Sequence, residues 1–172
     1  MSESDTPGGI ESARILLVDA AYMASRWDDV VSALNSAFAQ SVFNDEGYTA
    51  DNPVTYTRAG VDGKLGPGVK HLVVLDESDT VIGGWFCIQT VRAADEAECD
   101  TGWFFVVPGV DRTTRRQIVE ELATKAFQTM RDAGFQRIVS NMGTVPGAKS
   151  MTRYGFVHEP TDTKHNRWTR QL

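Results

Sequence analysis

Three arginines, Arg112, Arg115 and Arg116, crowd a turn that follows an apolar run ending in Val106-Val107-Pro108 and precedes a long amphipathic segment. Cations in the first turn of a helix oppose its dipole by about 0.3–1 kcal/mol each, and an anion bound there offsets that cost. Guanidinium forks match phosphate oxygens, and the first-turn N–H groups add donors. These residue types at this place suit the binding of a phosphate-bearing ligand. The alternative is a solvated basic turn, partly neutralised by Asp111, Glu120 and Glu121. The other reactive side chains are dispersed. Cys87 and Cys99 form no CxxC pair or Cys/His cluster of zinc spacing, and a lone Cys99 reads as a small buried hydrophobe. His71, His158 and His165 fall on separate predicted strands, so no metal site is expected.

Those residues must be positioned by the elements around them. Residues 14–19 form a short apolar run that suits a strand covered on both faces. Trp27, Val30, Val31, Leu34 and Phe38 recur at helical spacing within 21–40. Residues 41–69 lack periodicity and are rich in glycine, so a long loop with at most one helical turn is expected there. Two β-rich runs, 71–75 and 81–91, flank a hairpin turn at 76–80. A strand at 100–107 ends at Pro108, which cannot donate to a ladder. Thr113 or Thr114 is expected to open the next helix, with Thr114 and Gln117 as a capping box. Its buried stripe is Ile118, Val119, Leu122, Ala126, Phe127 and Met130, and Gly134 ends it. A strand at 137–140, a helix from Pro146 to Gly155, and strands at 156–158 and 166–170 complete the order. The fold class is α/β (α+β): a mixed central sheet of about seven strands with helices on both faces.

Composition bounds the function. A chain of 172 residues with 41% hydrophobic and 23% charged residues suits one globular domain, here 13–172 after a disordered tail at 1–12. The net charge of −6 argues against a general nucleic-acid binder. No run approaches the ~20 apolar residues of a membrane span, and no signal core opens the chain, so a cytoplasmic protein is expected.

The order of elements from Cys99 to Pro160 resembles the acyl-CoA-binding half of the GNAT superfamily of N-acetyltransferases. In that family the turn after the Pro-ended strand holds the CoA pyrophosphate. The resemblance therefore implies acetyl-CoA as cosubstrate, with Arg112, Thr113, Thr114, Arg115, Arg116 and Gln117 around its phosphates. The loop motif is eroded, because Thr114 and Arg116 stand where the family places glycines. The same strand splays from its neighbour in the family and pairs with the pantetheine arm, which implies that role for the backbone of Phe105, Val106 and Val107. Many members use a carboxylate near the start of this strand to take the amine proton. Asp100 holds about that place, with Glu98 beside it. The family's usual tyrosine position is Met151 here, which leaves Tyr154 or Ser150 as the proton donor to the thiolate. Trp27, Tyr48 and Tyr56 could line the pocket for a small-molecule or peptide amine, and GNAT-like domains are often homodimers.

The activity implied is acyl-CoA-dependent N-acylation by direct attack of a primary amine. The missing glycines and Met151 favour a different outcome, a GNAT-like domain without acetyl transfer that binds a ligand or partner. A divergent nucleobase-modifying protein is the third reading, against which the acidic charge weighs.

Overall fold

The computed structural model describes residues 13–40, 48–100, 102–141, 149, 151–159 and 167–172. Ser150 and Pro146 lie outside the described residues, as do residues 1–12. The central strands are the most apolar ones. β2 (Lys70–Leu75) and β3 (Val81–Ile88) are buried along almost their whole length, which requires cover on both faces. They pair antiparallel, with β1 (Arg14–Val18) on the outer side of β2 and β5 (Phe104–Val106) on the outer side of β3. A second sheet has the order β4 (Glu98–Asp100), β6 (Arg137–Asn141), β8 (Arg167–Gln171), β7 (Val157–Glu159). Its β4/β6 pair is parallel and its other pairs are antiparallel. The fold is mixed α/β, with eight strands among the described residues.

Helices cover both faces of the first sheet. α4 (Arg112–Asp132) packs Ile118, Leu122, Ala126 and Met130 against Leu72, Val74 and Trp85. On the other face α1 (Ala20–Ser25) and α2 (Trp27–Phe38) bury Met23, Val30 and Leu34 against Val73, Leu75 and Phe86. Among the described residues no helix is long and apolar enough to cross a membrane.

Four expectations change. The helix expected over 21–40 is two helices. At Arg26 the backbone leaves the helical region (φ −116°, ψ 22°), and its guanidinium reaches Asp29 in the next helix. The long loop contains α3 (Asp51–Val61), an eleven-residue helix with little amphipathic contrast. Pro53 sits in its first turn, where a missing N–H costs nothing. Gly60 sits in its last turn, where a Cβ would lie 2.6 Å from Cys87 Sγ. The glycine and proline that argued for a loop are thus a helix start and a close helix–strand contact. α4 begins one residue before the expected threonines, and its cap is Asp111. The single strand expected over 100–107 is divided between the two sheets as β4 and β5.

Candidate functional site

The division of that strand is built locally. Leu72 pairs with Trp85 and Lys70 with Ile88, so His71 alone faces both Phe86 and Cys87, a β-bulge on β3. Cys87 takes a left-handed backbone, φ 60°. Its N–H leaves the ladder and donates to His71 Nδ1 at 3.1 Å. Gly102 lies directly on this bulge. A Cβ there would sit 2.9 Å from both the carbonyl carbon of Phe86 and Cys87 Cβ. Among the described residues the chain therefore pairs with β6 up to Asp100, passes the bulge at Gly102, and continues beside β3 alone.

A gap between β5 and β6 follows. The register Gly84↔Phe105, with Phe86 N–H on Trp103 O and Val107 N–H on Ile82 O (both 2.9 Å), turns the polar groups of 103 and 105 and the N–H of Val107 toward β3. Those of Phe104 and Val106 face the other way. The open edge is thus offered by Phe104 and Val106. Of the three residues expected to meet pantetheine, Val106 presents both its groups outward, while the N–H groups of Phe105 and Val107 point toward β3.

The N-terminus of α4 stands at the end of this edge. Asp111 accepts from Thr113 N–H and Thr114 N–H, each at 3.0 Å, and the Thr114 side chain first, then these N–H groups, hold its carboxyl below the usual carboxylate range. The predicted phosphate arginines go three ways. Arg115 turns back and donates to Val106 O (3.1 Å) and Val107 O (2.6 Å). Arg116 pairs with Glu120 at 3.1 Å. Arg112 is exposed, as is Gln117. An internal carboxylate thus engages first-turn N–H groups of α4, and an internal guanidinium engages the carbonyls at the end of β5.

On the α3 side of the gap, Tyr56 is half-buried. Burial chiefly, then the Asp100 and Cys87 charges, push its phenol up to about 12. The fold thus brings Asp100 and Tyr56 within electrostatic reach. α3 is held on α2 by Arg58, whose guanidinium lies 5.1 Å from the Trp27 ring centroid. Among the described residues two fully buried polar atoms here, Thr57 Oγ1 of α3 and His71 Nε2 of β2, have no hydrogen-bond partner. Burial lowers His71 to about 4, so the imidazole is neutral, and because Nδ1 accepts from Cys87, Nε2 carries the hydrogen.

The remaining candidates are placed as follows. Glu98 is ion-paired with Arg137 across the β4/β6 ladder. Tyr154 is half-buried against α4, and burial and then Glu120 raise its phenol. Cys87 and Cys99 are both buried, and burial pushes each thiol up to about 12, which removes thiolate chemistry. His158 stacks on Trp168, centroids 5.0 Å apart. Among the described residues no three metal-ligating side chains gather. Sequence reasoning missed Gly102, Asp111 and His71. Glycine inside a strand run signals a bulge, and aspartate before Arg-Thr-Thr signals a helix cap. His71 had no local signal, because its partner is sixteen residues away.

The fold recurs in solved structures. The chain is similar to a PaiA N-acetyltransferase from Thermoplasma acidophilum in complex with coenzyme A (TM-score 0.66, 12% identity, 94% of this chain and 99% of that one). It is also similar to a GNAT-family acetyltransferase from Staphylococcus aureus Mu50 (0.68, 14%, 94% and 99%). The C-terminal condensation domain of Ebony, in complex with β-alanyl-dopamine, matches at 0.67 with 7% identity, over 94% of this chain and 99% of that one. No family model matches the sequence, and no curated protein matches it. The fold is that of the GNAT acetyltransferases.

Proposed function

We propose that this protein is an acyl-CoA-dependent N-acyltransferase acting on a primary amine. The observation that carries the reading is the strand divided at Gly102, which leaves the Phe104 and Val106 edge open beside the N-terminus of α4. Acetyl-CoA would run along that edge, its amides pairing with Phe104 and Val106 and its phosphates meeting Arg112 and the α4 amides. The amine enters from the α3 side, past Tyr56. Its nitrogen attacks the thioester carbonyl, the C–N bond forms, the C–S bond breaks, and outward strand N–H groups polarise the carbonyl. Asp100, directly or through a water, takes the amine proton. The thiolate takes a proton from Ser150 or from Tyr154, whose raised pKa keeps it protonated.

Calorimetric titration with acetyl-CoA is the test. Micromolar binding is expected, weakened about tenfold by Arg112→Ala, the loss of one charge-assisted phosphate contact. Arg112 is the informative arginine, because Arg115 holds backbone carbonyls and its removal would disturb β5 itself. No binding at millimolar ligand would sink the reading.

A second reading rests on Asp111 and Arg115. Their bonds close the chain's own phosphate and pantetheine contacts, which favours a GNAT-like domain that binds a ligand without transfer. Asp111→Asn separates the two. Asparagine caps a helix about as well as aspartate but brings no charge. Acetyl-CoA affinity is expected to rise several-fold in this variant, by the removal of like charge at the helix N-terminus. An unchanged affinity would mean that the phosphates do not approach α4.

A further inference from the structure

Beyond the Arg116–Glu120 pair, α4 forms one wall of a pocket of about 500 Å³. It is lined by α4 between 123 and 131, by Arg153, Tyr154 and Gly155 just before β7, and by Arg170 of β8. Three of its eight lining residues, Arg131, Arg153 and Arg170, are arginines. Among the described residues none of the three has a carboxylate partner, whereas Arg14, Arg26, Arg58, Arg116 and Arg137 all do. Arg170 is fixed in place. Its Nε donates to Tyr154 O at 2.6 Å, and its guanidinium lies 4.1 Å from the Phe127 ring centroid. Burial and the neighbouring Arg131 charge both disfavour its cation. The chain carries 23 acidic against 17 basic residues, so a patch of unpaired arginines is not an overflow of general basicity.

Three like charges around one concavity repel, and an anion seated among them removes that cost. Guanidinium forks suit the several oxygens of a phosphate. The Tyr154 ring and the Ala123 and Phe127 surface give the same pocket an apolar wall, which inorganic anions do not use. Its arginines stand apart from the phosphate end of the cofactor groove. At 1.5 Å per residue, Phe127 lies roughly 22 Å along α4 from Arg112. We propose that this pocket binds a small phosphate ester, its phosphate among Arg131, Arg153 and Arg170 and its organic part against Tyr154.

The test is calorimetry with phenyl phosphate, inorganic phosphate and acetate in the absence of CoA. Phenyl phosphate is expected to saturate one site, more tightly than inorganic phosphate. The Arg131→Ala/Arg153→Ala double variant, which changes two exposed side chains, is expected to weaken it at least about tenfold. Arg112→Ala and Asp111→Asn should leave that affinity unchanged, and the double variant should leave acetyl-CoA binding unchanged. Phenyl phosphate binding that survives the double variant, or that is lost with Arg112→Ala, overturns the assignment. Equal affinity for inorganic phosphate overturns its ester part. Thermal unfolding of the double variant at the wild-type midpoint confirms that any loss is local.

Discussion

Gly102→Ala is expected to cost about 3 kcal/mol of folding stability, at the upper end of what overpacking usually costs, and to remove acetyl-CoA binding. The added methyl would press into the carbonyl of Phe86 and lie 2.9 Å from Cys87 Cβ. Neither neighbour is the free end of a flexible side chain. Phe86 is held by its N–H on Trp103 O, and its fully buried ring meets Phe105 edge-on at 5.2 Å. Relief requires β5 to move off β3, and that movement closes or skews the gap beside β6. Gly109→Ala is the control. Its φ is 90°, but no atom lies within 4 Å of an added Cβ, so only backbone strain of about 1–2 kcal/mol is expected. Urea unfolding of the two variants gives both numbers. A Gly102→Ala protein as stable as Gly109→Ala would show that the bulge yields, and the divided strand would not depend on this glycine.

The comparison of these two glycines also explains what the sequence could and could not reveal. Apolar runs disclosed β2 and β3, since a strand buried on both faces has no other way to be built. The stripe through Ile118, Leu122, Ala126 and Met130 disclosed α4, and Gly134 (φ 89°) ended it as expected. These are local patterns with a period. The site is made by non-local ones. Gly102 is required because Phe86 bulges, and Phe86 bulges opposite His71. None of these residues is a sequence neighbour of another. α3 was hidden for a related reason. Its contact with Cys87 selects Gly60, a residue whose type reads as a loop when that partner is unseen. The arginine turn was legible as a cluster of charge, but the direction of each guanidinium was not. Arg115 binds the end of β5 because the chain reverses at 107–111, which brings those carbonyls under the first turn of the helix.

Lowering the pH from about 7 to about 5 is expected to remove about 2 kcal/mol of stability through His71 alone. Its side chain is fully buried, and burial lowers it from 6.5 to about 4. As the pH falls below 6.5 the unfolded chain gains a proton that the folded chain refuses until about pH 4. The stabilisation is thus complete above 6.5 and drains away through the window between those two values. Nδ1 accepts the Cys87 N–H, so protonation there breaks the backbone bond that His71 makes to the left-handed residue of the bulge. The folded imidazole takes that proton only near pH 4, so stability should fall first, from about pH 6.5 downward, and acetyl-CoA affinity should hold until the pH approaches about 4 and the open β5 edge is lost. Urea unfolding at several pH values measures the first, and calorimetry the second. His71→Gln keeps an acceptor for Cys87 but has no proton to take up, so its stability should be lower at neutral pH and much flatter between about pH 7 and about pH 5. A wild-type slope in His71→Gln would place the titration elsewhere and detach the bulge from the pH response.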